Sequence, residues 1–347
     1  YQAISVGRVM TCVLGMVVRR EREIRAFVKT PFYRVVSSIA LEGESFEGEW
    51  RAVEGSRYFQ SPVLYKENGF KKKEDAQKLI CELSTQQPLI CTVEKIERKK
   101  ENKNPPLLFN LAELQNVCSK LFKISPDETL SIVQDLYEKK LVTYPRTDAR
   151  VLSTAVAKEI YKNISGLRNY PQAGEAAQGA LELGAYKNIA KTRYTNDKQI
   201  TDHYAIIPTG QGLGALKGLS LTAQRVYETI VRRFLSIFYP PAVYQKVSLV
   251  TKMENESFFS SFKVLLSEGY LKIAANSFAK KSMAEASGKT PESEGEGEVS
   301  CDEALLAALQ KLKKGDILNI NGLGIKEGET SPPKRYNSGS MILAMEN

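Results

Sequence analysis

Two stretches of this chain carry the two-residue alternation of β-strands, and a helical stretch separates them. In residues 32–97, Tyr33 and Val35, then Leu89, Cys91 and Val93, place apolar side chains on one face. In the second stretch Val243, Gln245, Val247 and Leu249 repeat the pattern, which resumes over residues 258–273. The pattern predicts one β-rich domain, discontinuous in sequence, with the helical block inserted into it. The fold class is therefore multi-domain α+β, and 347 residues are enough for two or three cores.

Helix signals are local and specific. Val6, Val9, Val13, Leu14, Val17 and Val18 recur at helical spacing over residues 4–27, with arginines clustered at the end. A short helix is predicted over residues 73–83. The charged run of residues 95–103, ending at Pro105 and Pro106, marks a domain boundary. Asn110 with Glu113 is a capping-box pattern, with Leu111, Leu114, Cys118 and Leu121 on one face. Ser125, Pro126, Asp127 and Glu128 open a second helix with cap, proline and acid in order. Two short helices and then a strand bearing Tyr144 is the layout of a winged-helix-like unit. A further helix over residues 221–239 is capped by Thr222 and stopped by Pro240 and Pro241. Residues 280–300 are low in complexity and read as a mobile loop.

Composition excludes several classes. Forty-nine Lys and Arg against 40 Asp and Glu give a net charge of +9, which favours a polyanionic partner. The excess is steep over residues 1–36, where Arg8, Arg19, Arg20, Arg22, Arg25, Lys29 and Arg34 face only Glu21 and Glu23. The five cysteines are odd in number and form no C-x-x-C pair, so neither a disulfide framework nor a zinc ribbon is indicated. One histidine makes a His-based metal site improbable. No signal peptide or membrane-spanning run is visible, and cytoplasm is the expected compartment. Gly288, Lys289 and Thr290 resemble the end of a P-loop, but Met283 stands where glycine is required.

The chemistry concentrates around Tyr144. A phenol attacks a phosphodiester only where cations stabilise its anion. On a strand, Arg146 would point to the same side as Tyr144 and grip the same phosphate in its guanidinium fork. Around the lone histidine, His203, residues 196–209 combine acids, Lys198 and an apolar Ala-Ile-Ile; His203 and Lys198 can both contact phosphate. Ser5, Gly7, Arg8 and Thr11 at a helix start can bind backbone phosphates. In residues 331–336 a proline-stiffened loop offers Lys334, Arg335 and Tyr336 to a single strand by charge and stacking. Each segment alone also has a plain structural reading, as capped helix, packed aromatic or linker.

Taken in order, these segments resemble the type IA DNA topoisomerases, the topoisomerase III branch most closely. The resemblance is carried by residues 5–11 with Leu14 and Gly15, residues 105–111 with Leu114 and Gln115, residues 136–148, residues 203–209, residues 231–242 and the Pro332-Pro333 loop. It implies a toroid fragment: a β-rich arch (residues 26–105 and 213–330), a tyrosine domain (106–212) and two pieces of a DNA-gripping domain (1–25 and 331–347). It implies Tyr144 as the nucleophile forming a 5′-phosphotyrosine link in single-stranded DNA, assisted by Arg146 and His203. It also implies Mg²⁺ held by an acidic N-terminal domain ahead of residue 1, with no metal bound here. The 347 residues alone are then expected to have little cleavage activity and to self-associate through uncovered surfaces. Met10, Cys12, Ala149, Asn337 and Ser338 depart from the family pattern, and Met10 lacks an amide that would contact DNA. Two rivals remain: a non-catalytic single-stranded-DNA-binding arch, and a tyrosine recombinase or type IB enzyme, whose histidine precedes its tyrosine.

Overall fold

The computed structural model describes residues 7–85, 87–279, 298–300 and 303–346. Ser5, most of the low-complexity run and the Gly288-Lys289-Thr290 tripeptide lie outside the described residues. In chain order the elements are α1 (Arg8–Ala26), β1 (Pro31–Leu41), β2 (Glu44–Arg51), β3 (Leu64–Lys66), β4 (Gly69–Phe70), α2 (Lys73–Leu83) and β5 (Ile90–Lys103). The helical block follows as α3 (Leu111–Phe122), α4 (Pro126–Glu138), α5 (Thr154–Gly166), α6 (Gly174–Leu183) and α7 (Leu221–Ser236). The chain then forms β6 (Ala242–Met253), β7 (Glu256–Ser267), a one-turn α8 (Leu271–Ala274), β8 (Glu298–Ser300), α9 (Glu303–Lys311), β9 (Ile317–Glu329) and α10 (Ser338–Glu346).

The strands before and after the helical block close on each other. The order β1-β2-β7-β6-β5-β9 returns to β1, a six-stranded antiparallel barrel. Closure removes the edges that strands so far apart in sequence would otherwise expose. Inward residues Val35, Ile39, Trp50, Val93, Val247, Phe258 and Phe262 form its core, shared with Leu79 of α2 and Leu309 of α9. The charged run of residues 95–103 is no linker: it is the second half of β5, paired with β6 along its length. Its charges fall mainly on exposed positions, so a solvated strand face imitated a boundary.

A second core holds the helical block: Leu114, Val133, Leu136, Ile160, Ala177 and Ile206 among others. Val226, Ile230, Phe234 and Phe238 of α7 belong to it. Residues assigned to the arch from 213 onward therefore pack, as far as α7, with the tyrosine-bearing block. The apolar stripe of α7 fills that core, and β6 begins only after Pro240 and Pro241. The cap of α7 is Ser220, whose hydroxyl accepts from Ala223 N at 3.2 Å, not Thr222. No helix of the described residues is long and apolar enough to cross a membrane.

The strand expected at Tyr144 is reduced to single bridges, Val142 with Pro208 and Phe109 with Ile206, and the wing of a winged helix is not formed among the described residues. α1 and α10 lie at the two ends of the described chain. α10 packs on α3, with Gly339 so close to Asn116 that a Cβ there would stand 2.9 Å from Asn116 Oδ1.

Candidate active site

The site is built where residues 141–151 run beside residues 203–209. Main-chain bonds tie Thr143 N to Ile207 O (3.0 Å), Ala205 N to Val151 O (3.0 Å) and Thr209 N to Leu141 O (3.0 Å). Two threonines flanking Tyr144 add side-chain ties. Thr143 Oγ1 donates to Ala205 O at 3.0 Å and accepts from Ile207 N at 3.0 Å. Thr147 Oγ1 donates to His203 O at 2.8 Å and accepts from Ala149 N at 3.1 Å. Both ends of the tyrosine turn are thus fastened to the histidine segment. Asn110, the cap of α3, joins in by donating from Nδ2 to Asp148 O at 3.1 Å.

The result is direct contact between two of the three predicted catalytic residues, Tyr144 and His203. The Tyr144 ring lies 4.3 Å from the His203 imidazole, centroid to centroid, tilted by 41°. Tyr137, from the last turn of α4, packs against Tyr144 at 5.5 Å in an edge-on arrangement. Tyr144 is half-buried, so its ring is held while part of it stays open to solvent.

Arg146 is not where strand geometry would put it. Thr147 N donates to Pro145 O (3.0 Å), a tight turn that ends the extended run. Two hollows meet at His203. One is lined by Tyr144, Tyr137, Lys140, Tyr204 and Gln211. The other is lined by Arg146, Asp148, Asp202, Gln115 and Thr201. His203 lines both. Arg146 is exposed and separated from Tyr144 by the buried Pro145. Burial pushes the Tyr204 phenol above its ordinary value, so this second tyrosine of the hollow stays protonated further into alkali.

The other predicted DNA contacts are dispersed. Lys198 sits on an exposed 3₁₀ turn (Asp197–Gln199) and lines neither hollow. Its neighbour Asp197 accepts from Thr154 N and Oγ1, which holds its carboxyl below the usual range. Gly7 precedes α1, Arg8 is the first helical residue, and Thr11 Oγ1 bonds back to Gly7 O at 3.1 Å. The loop residues are engaged within the protein: Arg335 pairs with Glu21 at 2.5 Å, and Tyr336 lies under the Arg20 guanidinium at 4.2 Å while accepting from it at 3.0 Å. Arg20 also donates to Lys334 O at 2.5 Å. The Arg335 fork and the Tyr336 ring fasten the loop to α1. Thr143, Thr147, Tyr137 and Lys140 were not singled out by sequence, because their roles depend on which segments meet.

This arrangement belongs to a known architecture. A family model described as DNA topoisomerase matches residues 1–347. The chain belongs to the type IA DNA topoisomerase family. Among its relatives it is 32% identical to the DNA topoisomerase 3 of Bacillus licheniformis over 345 residues, covering 99% of this chain and 42% of that protein. The corresponding protein of Bacillus subtilis is 31% identical over 345 residues, with the same coverage, 99% and 42%. The structure of full-length topoisomerase I from Thermotoga maritima matches with a TM-score of 0.63 at 22% identity, over 99% of this chain and 48% of that one. The mixed helical and barrel fold is therefore that of the type IA family, and the chain spans about two fifths of the length of the curated relatives it matches.

Proposed function

We propose that this chain carries the strand-breaking tyrosine of a type IA topoisomerase acting on single-stranded DNA. The observation that carries the reading is the packing of Tyr144 on His203, with threonine hydroxyls on either side tying their two segments together. The Tyr144 phenol oxygen attacks a strand phosphorus. The new O–P bond forms as the P–O3′ bond breaks, and the phenol proton is passed, in the net reaction, to the departing 3′ oxygen. The 5′ phosphate stays on Tyr144. One phosphodiester has replaced another, so the reverse step reseals the strand without ATP.

His203, which lines both hollows, and Arg146, from the hollow adjoining that of Tyr144, hold the non-bridging oxygens as charge develops on them. Mg²⁺, when bound, offsets phosphate charge near the break. Among the described residues no group of three or more His, Cys, Asp or Glu side chains is placed to hold a metal ion. On this reading the donors lie outside them, and the isolated 347 residues bind DNA but cleave little. The barrel moves with respect to the helical block so that a second strand can pass. Val9, Met10 and Leu14, exposed on α1 at 67%, 64% and 63%, give the isolated chain an apolar strip through which it self-associates, which solution mass by light scattering checks.

The test is denaturant trapping on single-stranded DNA labelled at either end, with Mg²⁺, using the full-length polypeptide that carries these residues and its Tyr144→Phe variant. A covalent link to a DNA 5′ end, lost in the variant, is expected. A 3′ link would indicate a type IB or recombinase reaction, and no link would indicate a binding arch.

A further inference from the structure

The cation that shares a hollow with Tyr144 is Lys140, not Arg146. Lys140 and His203 are the basic side chains of that hollow, which holds no carboxylate. The Arg146 hollow instead includes Asp148 and Asp202. Lys139, one residue earlier, pairs with Asp135. Lys140 is exposed and has no acidic partner among the described residues.

Its backbone makes the choice of lysine notable. Lys140 is in the left-handed region, φ +62. Lys140 N donates to Tyr137 O (2.8 Å) and Leu141 N to Leu136 O (2.9 Å), the paired bonds of a Schellman helix end, with buried Leu141 closing it. Glycine is the residue that suits this position, because a side chain there is strained. The turn is also pinned from the histidine segment. Thr209 Oγ1 donates to Lys140 O at 2.5 Å, and Gly212 approaches so closely that a Cβ on it would stand 2.5 Å from Lys139 O. The fold therefore fixes, at a cost, the main chain of a lysine whose side chain lines the same hollow as Tyr144.

We propose that Lys140 binds a backbone phosphate of the single strand laid across Tyr144 and supplies the permanent positive charge on that side of the site. The proposal rests on Tyr144 being the nucleophile. It makes Lys140 a substrate-binding residue in place of the predicted Lys198.

Glycine at this turn separates the two roles, because structure and function pull in opposite directions. Lys140→Gly relieves the left-handed strain, so its Tm should equal or exceed that of the unaltered protein. In the full-length polypeptide that carries these residues, loss of a charge-assisted phosphate contact should slow covalent adduct formation about tenfold. It should also flatten the plot of log affinity for single-stranded DNA against log salt by about 0.7. Lys140→Arg should retain both properties. Adduct formation and salt dependence unchanged in Lys140→Gly, or an Arg variant as slow as the Gly variant, would overturn the proposal. An adduct that persists in Tyr144→Phe would instead contradict the nucleophile reading, while the salt slope would still report on the Lys140 contact.

Discussion

Thr147 Oγ1 donates a 2.8 Å hydrogen bond to the main-chain carbonyl of His203. Thr143 makes the matching bond to Ala205 O, so the turn bearing Tyr144 is anchored one residue before the ring and three residues after it. These hydroxyls hold the segments that place Tyr144 against His203.

Replacing Thr147 by valine keeps the shape and removes the donor. The His203 carbonyl and Ala149 N both lose their partner in a site only 8% exposed. The expected cost is about 1–3 kcal/mol. Urea unfolding of Thr147→Val and Thr147→Ser should show the loss in the first and most of the stability kept in the second. Equal stability of all three proteins would contradict the anchoring role.

The end of the histidine segment rests on α5 through glycine. A Cβ on Gly166 would stand 2.2 Å from Gly210 O, and Asn163 Nδ2 donates to Pro208 O at 2.9 Å. Main chain cannot yield as a flexible side chain would. Gly166→Ala should therefore displace residues 208–210 and destabilise by about 1–3 kcal/mol. Thermal melting measures this, and a Tm unchanged from the unaltered chain would show that the approach is not tight.

Glu228, buried on α7, fastens the chain returning from the barrel. Its Oε1 accepts from Ser277 N (2.6 Å) and Arg232 Nε (3.1 Å), and its Oε2 from Ser277 Oγ (2.7 Å). Glu228→Ala leaves the Arg232 guanidinium largely buried without its carboxylate and should cost about 3 kcal/mol. Limited proteolysis should then cut near Ser277 at lower protease concentration than in the unaltered chain. Resistance equal to the unaltered chain would sink the idea of a fastening.

Alkali should unfold the chain through buried acids that must lose protons. Burial pushes Cys91 to about 11, and Cys118 and Tyr194 to about 12. Tyr170 and Tyr227 are raised further by the same cause. In the unfolded chain these groups ionise near ~8.5 for Cys and ~10 for Tyr. Folded values above unfolded ones mean that this stability is complete below about pH 8.5 and drains away as pH climbs toward 12. Circular dichroism across that window should show falling stability. Thiol labelling at pH 8 should modify the exposed Cys12 and Cys81 and spare Cys91 and Cys118 until the chain unfolds.

The local signals in the sequence carried far. Asn110 and Ser125 cap α3 and α4 through the side-chain bonds their spacing predicted, to Glu113 N at 2.9 Å and Glu128 N at 3.1 Å. The alternation at Val35, Val93 and Val247 marked inward barrel positions, because one face of each strand is buried. Long-range pairing was not legible. Charge in residues 95–103 hid a strand whose partner lies more than 130 residues away, as in Lys103 with Ala242. The side to which Arg146 points depended on a turn at Pro145 that periodicity cannot show. The pairing of Arg335 with Glu21 required knowing that the loop docks on α1. At the site, the sequence named Tyr144 and His203, and their contact could be seen only once the two segments were folded together.

The central claim is that Tyr144 becomes covalently joined to DNA. The most direct measurement is mass spectrometry of the trapped adduct after trypsin, which cuts after Lys140 and Arg146 and releases Tyr144 in a short peptide. The account predicts that peptide carrying a 5′-nucleotide through the tyrosine oxygen. A nucleotide on any other residue, or one joined through its 3′ phosphate, would contradict it.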